Sequence, residues 1–134
     1  MQTEDRIRRF LSSTRFAVAG ASADRTKYGN KVLRCYPQHG HDVVAIHPRE
    51  TEIEGVAAYR RLADVPRPPE AISVVTPPPV TESLVEEAAA MEIRRIWMQP
   101  GAESAAAIRR CAELGIDVIA GGPCLLVALG FRDA

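Results

Sequence analysis

Five short apolar runs, each closed by glycine or proline and separated by helix-length segments, constrain this chain more than any other feature. They are Phe16–Ala19, Asp42–Ile46, Ala71–Val75, Ile93–Met98 and Ile116–Ala120. Runs such as VVAI are continuously apolar, as expected of parallel strands covered on both faces. Between them lie segments with three- and four-residue apolar spacing: Tyr28 to Gln38, Thr81 to Met91 and Glu103 to Leu114. Alternation of this kind predicts an α/β fold with an open, mostly parallel sheet of five or six strands in a three-layer arrangement. Paired hairpin signals are missing, which argues against a sandwich.

The remaining segments fit this frame. Glu4 to Ser13 carries Ile7, Phe10 and Leu11 at helical spacing and is expected to lie against the domain edge. The stretch from Arg49 to Ala71 reads as a turn at Gly55, a short helix around Ala58 to Leu62 and a proline-limited loop. Three prolines, Pro77 to Pro79, end the third strand because proline cannot donate to a ladder. Thr81, Glu82 and Ser83 supply first-turn chemistry for the helix that follows, and Glu103 is expected to cap the next one or to face the crevice.

A chain of 134 residues is expected to form one domain over 1–134. Seventeen basic and 17 acidic side chains cancel, so no overall field draws the protein to nucleic acid or to an anionic membrane. No run approaches membrane-span length, and the start MQTEDRIRRFL lacks a signal-peptide pattern. Cys35, Cys111 and Cys124 have no metal-ligand spacing, and the simplest expectation is reduced thiols in a cytoplasmic protein. His39 and His41 flank a turn while His47 ends a strand, so the three do not form one metal cluster.

In a parallel sheet the carboxyl ends of all strands meet at one edge, which gathers Gly20-Ala21-Ser22, Thr76-Pro77-Pro78-Pro79 and Gln99-Pro100-Gly101 around a single crevice. Gly20 permits a tight turn, Ser22 offers a hydroxyl, and the following helix start offers unused N–H groups to a phosphate. Each has a plain structural reading too: Gly20 as a turn, Ser22 as a local backbone partner, Lys27 as a solvated lysine. Tyr28 packs over a ligand or anchors the loop, and Gly29 either marks close approach of a bulky ligand or a crossing strand or has a plain structural reason. A dinucleotide oxidoreductase would show a tighter glycine turn and an acid after the second strand; here position 22 is Ser and the strand ends in His47-Pro48. Trp97 is expected in the core and Gln99 at a ligand or adjoining loop.

The order VAGAS, KYGNKV, GHDVVAIHP, IEG with AYRRLADVP, TPPP, IWMQPGA and GIDVIAGGPC resembles the stand-alone CoA-binding domain proteins. That family is similar to the amino-terminal CoA-binding domain of the succinyl-CoA synthetase α subunit. The resemblance covers about Phe16 to Leu126 and implies a Rossmann-like domain that binds coenzyme A. It places Gly20, Ala21 and Ser22 against the phosphates, Lys27 beside their charge, and Tyr28 and Gly29 at the helix entrance. Pro48 would border the adenine, and Thr76, Pro77 and Pro78 the opposite wall.

The phosphohistidine machinery of the larger synthetases is not expected in this length, so the reading is binding of CoA or acyl-CoA without catalysis. Two alternatives stand beside it: a small enzyme or subunit acting on acyl-CoA, or a regulator binding NAD or another nucleotide. A homo-oligomer or an acyl-CoA enzyme would be its protein partner. Cys124, after the fifth strand, is placed either to meet the CoA thiol in a mixed disulfide or to pack as a small side chain.

Overall fold

The computed structural model describes residues 2–133, so the first and last residues of the expected domain lie outside it. Helix α1 spans Thr3–Leu11, followed by β1 (Arg15–Ala19), α2 (Tyr28–Gln38) and β2 (Asp42–Ile46). A hairpin of β3 (Glu52–Ile53) and β4 (Val56–Tyr59) comes next, then one turn of tighter helix at Leu62–Asp64 and β5 (Ala71–Val74). The chain continues through α3 (Pro78–Ala90), β6 (Arg95–Met98), α4 (Ala105–Leu114), β7 (Asp117–Ile119) and α5 (Leu125–Leu129).

These strands form one seven-stranded sheet in the order β3-β4-β2-β1-β5-β6-β7, parallel except for the β3–β4 pair. Chain connection runs one way from β1 to β2 and the other way from β5 to β7, so a topological switch point lies between β1 and β5. The three-layer Rossmann-like expectation holds, with more strands than the five or six expected.

The two-residue pleat sorts β1 onto both faces. Phe16 and Val18 pack with Val32, Leu33, Cys35 and Tyr36 of α2, Phe10 of α1 and Leu125 of α5. Ala17 and Ala19 point to the other side, against Leu84, Val85 and Ala88 of α3 and Ala107 and Cys111 of α4. Trp97 is fully buried, edge-on to Phe10, with its indole N–H donating to the Pro123 carbonyl at 3.0 Å.

The extra strands correct the helix expected around Ala58 to Leu62. Glu54 (φ 53°) and Gly55 (φ 76°) make a two-residue turn with both residues in the left-handed region, as hairpin twist requires. The strand after that turn pairs with β2, Ala45 with Ala58 and Ile46 with Tyr59, so ladder bonds outweigh the helix preference of two alanines. Helix α3 also begins earlier than Thr81, at Pro78, because a helix's first turn needs no N–H donors and tolerates proline. At α4 the cap is Ser104, whose Oγ accepts the Ala107 N–H at 3.0 Å, rather than Glu103. Glu103 instead accepts from the Gly101 N–H at 3.1 Å.

Candidate functional site

At the switch point the β1 turn and the β5 exit are pressed together. Gly20 sits at φ 90°, and a Cβ there would lie 2.8 Å from the Val75 carbonyl carbon. Helix α2 closes on the same turn from the other side, since a Cβ on Gly29 would come within 2.1 Å of the Gly20 carbonyl oxygen. Both glycines are therefore demanded by backbone contact. The neighbour at Gly29 is the carbonyl of the β1 turn, in place of the ligand or crossing strand expected there.

Beside this junction a cleft of about 330 Å³ opens above the ends of β1, β2 and β4. Gly20, Ala21, Pro48 and Thr76, four of the residues expected at the ligand, line it. Thr76 is fixed there by buried Thr81, whose hydroxyl is 2.8 Å from its own. The wall on α3 is apolar, with Val80 and Leu84, and the floor holds Ile46 and Leu62.

Sequence reasoning missed the outer end of the cleft, where Arg60 and Arg61 follow β4, with Glu87 of α3 across from them. Their signal was present in the run AYRRL, but a helix reading of that segment hid which way it ran. His47 lines the cleft as well, and its Nδ1 accepts the N–H groups of Arg49 at 3.1 Å and Glu50 at 3.0 Å. With Nδ1 occupied as an acceptor, the neutral ring carries its proton on Nε2.

The other six expected residues are not in the cleft lining. Ser22 Oγ accepts the Asp24 N–H at 3.0 Å and shapes the loop. Lys27 is exposed at the entry to α2, a helix with no acidic residue of its own in the first turn and no side-chain cap. Asp24, held below the usual carboxylate range mainly by its bonds from Thr26, lies close enough for Lys27 to add to that effect. Pro77 and Pro78 form the entrance of α3.

Tyr28 turns to the opposite side of the loop. Its hydroxyl lies 2.6 Å from Cys124 Sγ and 3.2 Å from Gln99 Oε1, and burial pushes its ionisation upward. Gln99 is fully buried and its Oε1 also accepts the Leu125 N–H at 2.9 Å, so it serves the adjoining loop. Cys35 and Cys111 are buried thiols, each raised to about 11 chiefly by desolvation. Among the described residues no group of three or more His, Cys, Asp or Glu side chains could hold a metal ion, and no helix is long and apolar enough to cross a membrane.

Residues 14–130 match the profile of the CoA binding domain family. The chain belongs to that family. Solved structures share its fold: a conserved hypothetical protein from Pyrococcus furiosus is 33% identical, with a TM-score of 0.80 over 85% of this chain and 97% of that one. A Thermus thermophilus protein is 28% identical, with a TM-score of 0.84 over 95% of this chain and 96% of that one. The same fold recurs in a dinucleotide forming acetyl-coenzyme A synthetase from Ca. Korarchaeum cryptofilum, at 23% identity and a TM-score of 0.71. There the match covers 80% of this CoA-binding domain chain and 25% of the synthetase chain.

Proposed function

We propose that this CoA-binding domain protein holds coenzyme A or an acyl-CoA at the β1–β5 switch point and does so without catalytic machinery of its own. The observation that carries the reading is the cleft beside Gly20: an apolar slot between Ile46, Leu62, Val80 and Leu84 with cationic side chains at its outer end. A nucleotide base needs such a slot, and its phosphates need N–H donors and positive charge. Gly20, Ala21 and Ser22 would present backbone donors to the phosphates, with Lys27 at the start of α2 adding charge. Tyr28 and Gly29 would keep the helix entrance in place. Pro48 and His47 would border the adenine, and Thr76, Pro77 and Pro78 would form the rigid wall along which the uncharged arm leaves.

Arg60, beside an Arg61 that pairs with Asp64 at 3.6 Å, brings positive charge to the cleft, which supports a polyanion such as CoA over NAD. The test is calorimetric titration of the intact protein with CoA, dephospho-CoA, NAD and ATP. Saturable CoA binding is expected, weakened about fivefold by Lys27→Ala, the effect of roughly 1 kcal/mol from one exposed charge. A folded sample that takes up no CoA, or that prefers NAD, overturns the reading. Turnover of an acyl-CoA by the protein alone would overturn the non-catalytic part.

A further inference from the structure

The segment after α5 folds back along α2 and is tied to it repeatedly. His39 Nε2 lies 3.0 Å from the Gly130 carbonyl. The Gln38 amide accepts the Arg132 N–H at 2.9 Å and donates to the Arg132 carbonyl at 2.6 Å. The Phe131 ring lies 5.0 Å beneath the Arg34 guanidinium, and the Asp133 carboxylate takes Arg34 Nη2 at 3.2 Å and Lys31 Nζ at 3.7 Å.

Arg34 passes this docking inward. It is only 8% exposed, an unusual place for a guanidinium, and its Nη1 is buried with no hydrogen-bond partner among the described residues. Its Nε donates to Asn30 Oδ1 at 2.7 Å, and Nη2 reaches the Arg25 carbonyl at 3.4 Å. Because a guanidinium only donates, it fixes which end of the Asn30 amide faces it. The Nδ2 end is thereby turned to the loop, donating to the Ser22 carbonyl at 2.9 Å and to Glu54 Oε2 at 3.1 Å. Across a planar trans peptide the carbonyl and the next N–H point in opposite directions. Drawing the Ser22 carbonyl toward α2 therefore turns the Ala23 N–H away from the helix.

Neither Asn30 nor Arg34 lines the cleft. We propose that they are positioning residues for the β1–α2 loop, Asn30 setting the Ser22–Ala23 peptide and Arg34 setting Asn30, and that the docked segment 130–133 holds Arg34 in place. Loop order is claimed on these contacts alone; the consequence for CoA rests on the function proposed above.

Asn30→Asp tests the relay in the full chain, since it is nearly isosteric and still accepts from Arg34 but cannot donate to Ser22. The first readout is ligand-free amide exchange across 22–27, compared with β5 and α4. Exchange about tenfold faster in the loop alone is expected, the scale of one buried hydrogen bond to a charged network, with CoA bound about tenfold more weakly. Loop exchange unchanged, or raised equally throughout the fold, overturns the relay. The pair Gln38→Ala and Asp133→Asn releases the tail and is expected to speed the same loop amides; loop exchange equal to that of the parent overturns the tail's part. Should the parent bind no CoA, the proposed function falls while the exchange result still decides the relay.

Discussion

Gly29 sits where a helix meets the turn that leaves β1, and the absence of one carbon is what allows the contact. An alanine there would set its Cβ 2.1 Å from the Gly20 oxygen, a backbone atom that cannot swing aside as a flexible side chain would. Gly29→Ala is therefore expected to destabilise the protein by about 1–3 kcal/mol, the cost of overpacking a tight contact, read as a lower urea midpoint. The sequence located this glycine as a point of close approach, but only the fold shows that the neighbour is the chain's own carbonyl. Tyr28 illustrates the converse: adjacent to Gly29 in sequence, it points away from the cleft toward Gln99 and Cys124. Direction of a side chain at a helix entrance depends on how the helix is rotated against the sheet, which spacing does not encode.

Helices and strands were legible where apolar periodicity or punctuation was strong. Strands β1, β2 and β5 lie within one residue of their apolar runs, and α2 ends at Gln38 as its spacing predicts. The β3–β4 hairpin was not legible, because Val56-Ala57-Ala58-Tyr59 has no alternation strong enough to separate strand from helix. Its identity is settled by the free edge of β2, which accepts β4 as a ladder partner. The start of α4 is similar: Glu103 is the cap expected from sequence, but the residue with extended backbone there is Ser104 (φ −142°, ψ 156°), whose short hydroxyl reaches the first turn. Ser104 Oγ also donates to Glu82 Oε2 at 2.9 Å, joining α4 to α3. Ser104→Ala is expected to cost about 1 kcal/mol in equilibrium unfolding, with little effect on a ligand held at the far junction.

Across the whole molecule, stability should fall on acidification in two stages. His41 packs edge-on to Phe16 and Tyr36, and burial, with a smaller contribution from His39, lowers its pKa below the ordinary 6.5. The unfolded chain then takes up a proton that the folded chain refuses, so stability declines as pH drops below 6.5 toward the folded value. Glu70, lowered chiefly by the Thr14 N–H, contributes stability above about pH 4.5 that is lost as pH falls through its folded value. Urea midpoints measured from pH 8 down to about pH 2.5 should show both declines, and His41→Gln should remove the first; a profile unchanged by that substitution would contradict the assignment. By itself the sequence determined the α/β class, the strand-end chemistry and the family motifs, because apolar period and turn residues act locally along the chain. Tertiary structure alone decided that Arg60 and Arg61 share a cleft with Gly20 and that Arg34 reaches both the tail and the loop. Those groupings arise from strand order and helix rotation, which bring together residues whose separation in sequence carries no trace of their distance in space.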